Sequence, residues 1–274
     1  MPITRDRAEP SFIFRCVDAA ADGQKLAACL AFLDDLADFR AYKEAAIASL
    51  GLTPAAHVAD VACGLGFDLV RLHRRAPQGR VVGFDVSSAL LTAARRTVAG
   101  CETAALVAAD AHALPCPDGT FDAVRIDRSL QHMGAPATVI AEMARITRRG
   151  GIVAASEPDW SSFSLGLDDD PAVGVIIAEW TASFRNPRIG RELAALMPAC
   201  GLAPHHQHAQ MIALPDWAAA DRVFDIAETV RRCVSKGRLD AASAAGIVAA
   251  MVEDGDRRGF TARLVIHTVT GSKR

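Results

Sequence analysis

Two glycines and four aspartates carry the first chemical signal in this chain. In VADVACGLGFDLV, residues 58–70, an apolar run reaches Asp60, and Gly64 and Gly66 then flank one bulky residue. Glycine permits the left-handed turn and close backbone approach that a strand-to-helix connection over a ligand requires. The free N–H groups at the start of the next helix would face that ligand. A dinucleotide fold uses G-x-G-x-x-G, with a diphosphate over the helix end. Here the third glycine is missing, because Gly66 is followed by Phe67, Asp68 and Leu69. Asp68 near the helix start satisfies the dipole itself and would repel a diphosphate. No Lys-Ser/Thr pair follows the glycines, which excludes a P-loop. The expected ligand is nucleoside-like, with no phosphate at this point.

Asp85 closes the run VVGFDVS, at a spacing from the glycines that suits a carboxylate accepting both hydroxyls of a ribose. A solvent-facing strand-end aspartate is the other reading, and it ranks lower because the glycine loop and strand order agree with the first. Asp110, in AADAHALP, could accept from an adenine amine, although aspartates also cap such strand ends. Cys63 sits in the loop with no basic or histidine neighbour in sequence, which favours packing over nucleophilic chemistry. The HHQH run, residues 205–208, invites a metal reading. In a strand, His206 and His208 share one face and His205 points away. Two ligands are fewer than a zinc site needs, so no metal is expected.

These residues need elements to hold them. From about Asp22 to Leu50 the apolar spacing is helical and stops at Gly51. Five short apolar runs follow: HVADVA, RVVGFDV, TAALVAADA, FDAVRID and GIVAASEPD. Amphipathic helical stretches stand between most of them. That alternation predicts a parallel sheet covered by helices on both faces. WSSFSLGLDDDPAV reads as a loop. Helices come next, then a strand at LAPHHQHAQMIAL, more helices, and a last strand at GFTARLVIHTVTG. No repeat and no Gly/Ser/Pro linker divides the chain.

Bulk properties narrow the field. Hydrophobic residues make up 51% of 274, enough for a sizeable core. The net charge of −2 offers no general attraction to nucleic acid or to an anionic membrane. Seven cysteines, an odd number without a C-x-x-C pair, do not suggest a disulfide framework. The start has no long apolar segment of a signal peptide, and no stretch reaches membrane-span length. A cytoplasmic enzyme is expected.

From about Lys43 to Asp159 the chain resembles a class I S-adenosylmethionine-dependent methyltransferase. The likeness is to the small-molecule type related to the ubiquinone and menaquinone biosynthesis enzymes and to natural-product relatives. The resemblance implies a Rossmann-like α/β fold with a mostly parallel seven-stranded sheet. It makes DVACGLG the first motif, with Asp60 near the methionine amine and Ala62, Cys63, Gly64 and Gly66 in the turn. Ala62 stands where the family often has glycine. Asp85 becomes the ribose acid with Val86 beside the adenine, and Asp110 and Ala111 also lie at the adenine. Arg128 and Ser129 lie beside the methionine portion. An N-terminal helical segment, residues 1–50, carries Phe12, Phe39, Arg40 and Tyr42. By the resemblance it closes over the cofactor with Arg40 and Tyr42 in contact; the other reading is helix-to-sheet packing and a surface arginine. The core is 51–213 with 257–274, and a helical insertion, 214–256, precedes the last strand.

The implied function is methyl transfer from S-adenosylmethionine to an oxygen, nitrogen or carbon of a small molecule in secondary metabolism, leaving S-adenosylhomocysteine. His132 is the first choice for a base, since an imidazole suits proton removal near neutrality. A structural or substrate-binding histidine is the other reading. Glu157 and Asp159 either polarise His132 or hold the acceptor, or they are a cap and a loop acid. Trp160, Phe163 and Trp180 line an acceptor pocket or are ordinary core. Other readings are a cyclase or rearrangement enzyme assisted by the same cofactor, and a non-catalytic binding protein. The expected partner is a small molecule, not nucleic acid or membrane, with the chain a monomer or homodimer.

Overall fold

The computed structural model describes residues 20–167, 169–214, 216–258 and 262–274, with side chains outside 20–25 and 254–258. Phe12 and residues 1–19 of the expected N-terminal segment lie outside the described residues. Two helices open the chain, α1 (Ala20–Asp35) and α2 (Ala37–Ala48). Gly51, with φ +58°, follows the end of α2, as the spacing predicts.

The alternating half then forms β1 (Val58–Val61), α3 (Phe67–Arg75), β2 (Val81–Asp85), α4 (Ser88–Thr97) and β3 (Ala104–Ala108). It continues with β4 (Phe121–Asp127), α5 (Pro136–Ile146) and β5 (Thr147–Ser164). Strands buried on both faces tolerate continuous apolar runs, and every residue of β1 and β2 is buried. After β5 come α6 (Pro171–Thr181), α7 (Ile189–Ala199), β6 (Leu202–Leu214), α8 (Trp217–Phe224), α9 (Ile226–Ser235), α10 (Ala241–Arg258) and β7 (Ala262–Lys273).

The seven strands form one sheet in the order β3-β2-β1-β4-β5-β7-β6. Strands β1 to β5 are parallel, and β7 runs antiparallel between β5 and β6. The order reverses between β1 and β4. In an open parallel sheet that reversal leaves a crevice beyond the strand ends. The loops after β1, β2, β3 and β4 meet there.

One expectation is corrected. The segment WSSFS is the end of β5, not a loop. It is held by pairing with β7, in a ladder from Ile152↔Ser272 to Asp159↔Val265 and on to Ser164↔Arg263 after a register shift. The partner strand lies about a hundred residues away, so the local run of serines carried no sign of it. Helices α8 to α10 occupy the expected insertion. Their apolar faces pack with Trp160, Trp180 and Phe184 in one core cluster. Buried Glu179 of α6 anchors them through Lys236 at 2.8 Å and Arg238 at 2.7 Å. No helix among the described residues is long and apolar enough to cross a membrane.

Candidate active site

The turn after β1 is built by three left-handed residues, Ala62 (φ +56°), Gly64 (φ +54°) and Gly66 (φ +77°). Glycine adopts this region freely, whereas an L-residue such as Ala62 pays about 1–2 kcal/mol for it. Gly66 starts α3 and packs on α4, where a Cβ would lie 3.3 Å from Ala94 and Val98. Its task is close packing, and it does not line the crevice. Cys63 packs its sulfur against Gly83, where a Cβ would meet it at 2.7 Å. Burial pushes the Cys63 thiol far up, which suits packing and not nucleophilic attack.

A cavity of about 440 Å³ fills the crevice. Asp60, Ala62, Cys63 and Gly64 form one side, and Asp85, Val86, Asp110 and Ala111 the next. Arg128, Ser129 and His132 complete it. The Asp85 carboxylate is pinned by two backbone donors, Gly64 N at 2.8 Å on one oxygen and Ser87 N at 2.9 Å on the other. The carboxylate lies on the cavity lining, where a charged acceptor suits a ligand hydroxyl. Val86 beside it is 74% exposed, an apolar ledge at the cavity edge.

His112 is a cavity residue that the sequence reading missed. Its Nδ1 lies 2.6 Å from Asp110 and its Nε2 2.6 Å from the Gly134 carbonyl. Both partners are acceptors, an arrangement that favours the protonated ring. The Gly134 carbonyl first, then Asp110, raises the His112 pKa. The histidine thereby ties the end of β3 to the loop after β4.

The floor is a buried charge network. Arg125, central in β4, reaches Asp60 at 3.1 Å and Asp68 at 2.8 Å, and Asp60 is its register partner on β1. Lys43 of α2 pairs with Asp68 and, at 2.8 Å, with Asp127. Tyr42 donates to both Asp127 oxygens at 3.0 and 3.1 Å. Arg71 joins Asp68 at 2.9 Å to Asp34 of α1 at 2.8 Å. Burial would raise the Asp68 carboxyl, but Lys43 and Arg125 outweigh it and hold the group well below the usual range. Burial raises the Asp60 carboxyl to about 7, against the pull of Arg125. The sequence reading of Asp68 needs correction here. Its charge is cancelled by three cations from α2, α3 and β4, so it does not stand open at the helix end as a barrier to phosphate.

Arg128 follows β4 with φ +47°. Its Nε has no hydrogen-bond partner among the described residues, and an Asp127 oxygen lies 3.7 Å away. Besides Gly66, three expected site residues are not brought to the crevice. Arg40 is exposed because α2 turns Phe39, Tyr42 and Lys43 inward. Tyr42 is buried behind Asp127, which it holds. Glu157 is 0% exposed and takes the N–H groups of Ser129 (2.7 Å), Leu130 (2.7 Å) and Gln131 (3.3 Å). It braces the 3₁₀ turn Leu130–His132 from beneath and does not line the crevice. Asp159 is likewise buried and pairs with Arg191 at 2.8 Å. The HHQH histidines are exposed on β6 at the sheet edge, away from the crevice.

Glu157 gives a pH test. Burial pushes its carboxyl up from 4.5 to about 8, so folding favours the protonated form. That contribution is full below pH 4.5 and is lost as pH rises through about 8. Thermal unfolding should therefore show Tm falling across this window. Glu157→Gln, which cannot ionise, should have a flatter profile, and parallel profiles for the two proteins would reject the assignment.

Comparison with known proteins fits this geometry. Residues 58–151 match the methyltransferase domain family. An uncharacterised 37.1 kDa protein in transposon TN4556 of Streptomyces fradiae is 35% identical over 77% of this chain and 63% of its own length. The demethylmenaquinone methyltransferase of Symbiobacterium thermophilum is 33% identical over 38% of this chain and 43% of its own. The chain thus spans less than two thirds of either relative. A crystal structure of a putative methyltransferase from Bacillus halodurans C-125 superposes with TM-score 0.61 at 20% identity, covering 84% of this chain and 98% of that one. The residues present fit S-adenosylmethionine. A doubly pinned carboxylate suits a ribose diol, an exposed valine ledge suits a purine face, and a buried guanidinium Nε lacks a partner that a carboxylate would supply. Residues 58–151 thus match a methyltransferase domain, on a fold shared with a methyltransferase-like structure, and over part of its length the chain is similar to the demethylmenaquinone methyltransferases.

Proposed function

We propose that this protein transfers a methyl group from S-adenosylmethionine to a nucleophilic oxygen, nitrogen or carbon of a small molecule. One observation carries the reading: the crevice adjoins a second, aromatic-walled cavity, and His132 lines both. Bound in the crevice, S-adenosylmethionine supplies a methyl already activated by a positive sulfur. The chain's own residues then bind, orient and exclude water. Asp85 holds the ribose hydroxyls, Val86 and Ala111 meet the adenine, and the Asp110–His112 pair closes that end. Asp60 and Arg128 receive the amino-acid end, with the Ser129 backbone held beside them by Glu157.

Helix α1 covers the crevice with Leu26 and Leu30, and its Asp34 is tied to Arg71. This is a lid built from the N-terminal segment, with α2 bolted to the floor by Lys43. His132 stands at the junction and takes the acceptor's proton. Its alanine variant should lose about 10²–10⁴-fold in kcat while its affinity for S-adenosylhomocysteine changes little. The pH dependence of the wild-type rate should be lost in the variant. Unchanged turnover across pH would reject this role. The function itself is tested by calorimetric titration with S-adenosylhomocysteine. Labelled methyl donor is then incubated with a panel of phenols, amines and carbon nucleophiles, with products read by mass. Absence of saturable binding sinks the reading.

A further inference from the structure

We infer that His112 is a positioning residue whose protonated ring clamps the end of β3 to the loop after β4, so that the crevice holds S-adenosylmethionine more tightly toward about pH 6 than in alkaline solution. The inference rests on the methyl-transfer reading above and deepens it by assigning a regulation to that site. His112 lines the crevice together with Asp110 and Met133. Its Nδ1 meets Asp110 and its Nε2 meets the Gly134 carbonyl, each at 2.6 Å. In the sheet β3 and β4 are separated by β2 and β1, so no strand ladder joins them. The ring therefore bridges two walls of the crevice that the sheet leaves unconnected.

Each end of the bridge bears on the ligand site. Both Asp110 contacts fall on one oxygen, from His112 N at 2.9 Å and from the ring. They fix the carboxylate's orientation and leave its other oxygen without a hydrogen bond among the described residues. The far end holds the loop 128–135, which carries His132. Arg128 (φ +47°) and Ala135 (φ +45°) are left-handed, a conformation that an L-residue keeps only under restraint. Glu157 restrains the loop from beneath, and Asn186 donates to the Leu130 and Met133 carbonyls at 2.7 Å each. His112 is the restraint at the Gly134 end, and its side chain is 32% exposed, open to proton exchange with solvent. A neutral imidazole has one N–H and can serve only one of the two acceptors, so deprotonation opens the bridge. The Gly134 carbonyl, then Asp110, keep the ring protonated above its ordinary 6.5. The bridge is thus complete below about 6.5 and is lost as pH rises through the higher midpoint. Asp110 is the charge against the ring from the end of β3. Arg185, from the connection between α6 and α7, lies on Gly134, where a Cβ would meet its Nη1 at 3.0 Å. Asp60, Glu157 and His132 are further titratable groups around the crevice.

The test combines calorimetric titration with S-adenosylhomocysteine and an NMR pH titration of the His112 imidazole, both on the full chain. At about pH 6 the wild type should bind S-adenosylhomocysteine about three- to tenfold more tightly than His112→Gln, and at about pH 8.5 within about twofold. Comparing the two proteins at each pH cancels the titrations of Asp60, Glu157 and His132, which they share. Linked binding is reciprocal, so the cofactor must in turn favour the protonated ring. The wild-type His112 midpoint should lie above 6.5 in the free protein. It should move up by about half to one pH unit in the complex, the same three- to tenfold seen from the other side. That midpoint is read on the wild type and does not depend on the variant folding. A difference between wild type and His112→Gln that is the same at every pH would mean a packing role only and overturns the inference. So does a midpoint at or below 6.5, or one that S-adenosylhomocysteine leaves unmoved. Failure of S-adenosylhomocysteine to bind either protein at any pH overturns the methyl-transfer reading and the cofactor role of His112 with it. The midpoint in the free protein then decides by itself whether the bridge exists.

Discussion

Replacing Asp85 by alanine is expected to weaken S-adenosylhomocysteine binding by at least about 100-fold. In the proposed role, two hydrogen bonds from the ribose hydroxyls to the carboxylate would be lost, each worth about 1.5–3 kcal/mol. The same change frees the Gly64 and Ser87 N–H groups, which the carboxylate pins at 2.8 and 2.9 Å. The first glycine turn and the start of α4 are then no longer held together, so the pocket loses its shape as well as its acceptor. Asp85→Asn separates these contributions. The amide keeps one acceptor oxygen but sets a donor against one of the two backbone N–H groups, so its loss should fall between wild type and alanine. Calorimetric titration reads the affinity, and thermal unfolding checks that each variant is folded. Unchanged affinity in the alanine variant would remove the ribose role from Asp85.

Arg125→Met should be among the most destabilising single changes in the protein. The guanidinium is 2% exposed in the middle of β4 and faces Asp60 and Asp68 together. Methionine roughly fits the space but leaves two carboxylates buried without that partner. Breaking a buried pair in this way costs about 3–5 kcal/mol. In a chain of this size that corresponds to a Tm lower by roughly 6–20 °C. The pH dependence carries the sign of the cause. In the wild type the Asp68 carboxyl is held down by Lys43 and Arg125, so its stabilisation is present above the ordinary carboxylate pKa and is lost as pH falls. Without Arg125 both carboxyls shift upward and protonate sooner. The deficit of the variant should thus be largest near neutrality and shrink toward pH 4. A deficit that stays constant over that range would mean lost packing, not uncompensated charge.

The parts of this protein legible from its residues in order were those set by short-range geometry. The glycine turn, the strand-end acids Asp85 and Asp110, and the alternation of apolar runs with amphipathic helices each depend on a few neighbouring residues. The fold class and the crevice followed from them. Glu157 and Tyr42 show the limit. Their types and positions suited a site, yet each faces the backbone or carboxylate behind it, because burial is a property of what packs from elsewhere. Asp68 reads as a charge at a helix start, and nothing in the order of residues marks Lys43 and Arg125 as its partners. They are 25 and 57 residues apart as bonded pairs, and only the docking of α2 and α3 on β4 makes them one buried network. The long end of β5 and the aromatic wall depend likewise on β7, α6 and α8 arriving from far along the chain. Turn chemistry and periodicity are local energies that a sequence displays directly. Which charge is paired, which ring lines a cavity and which acid meets solvent are decided by contacts between distant segments, and those exist only once the chain has folded.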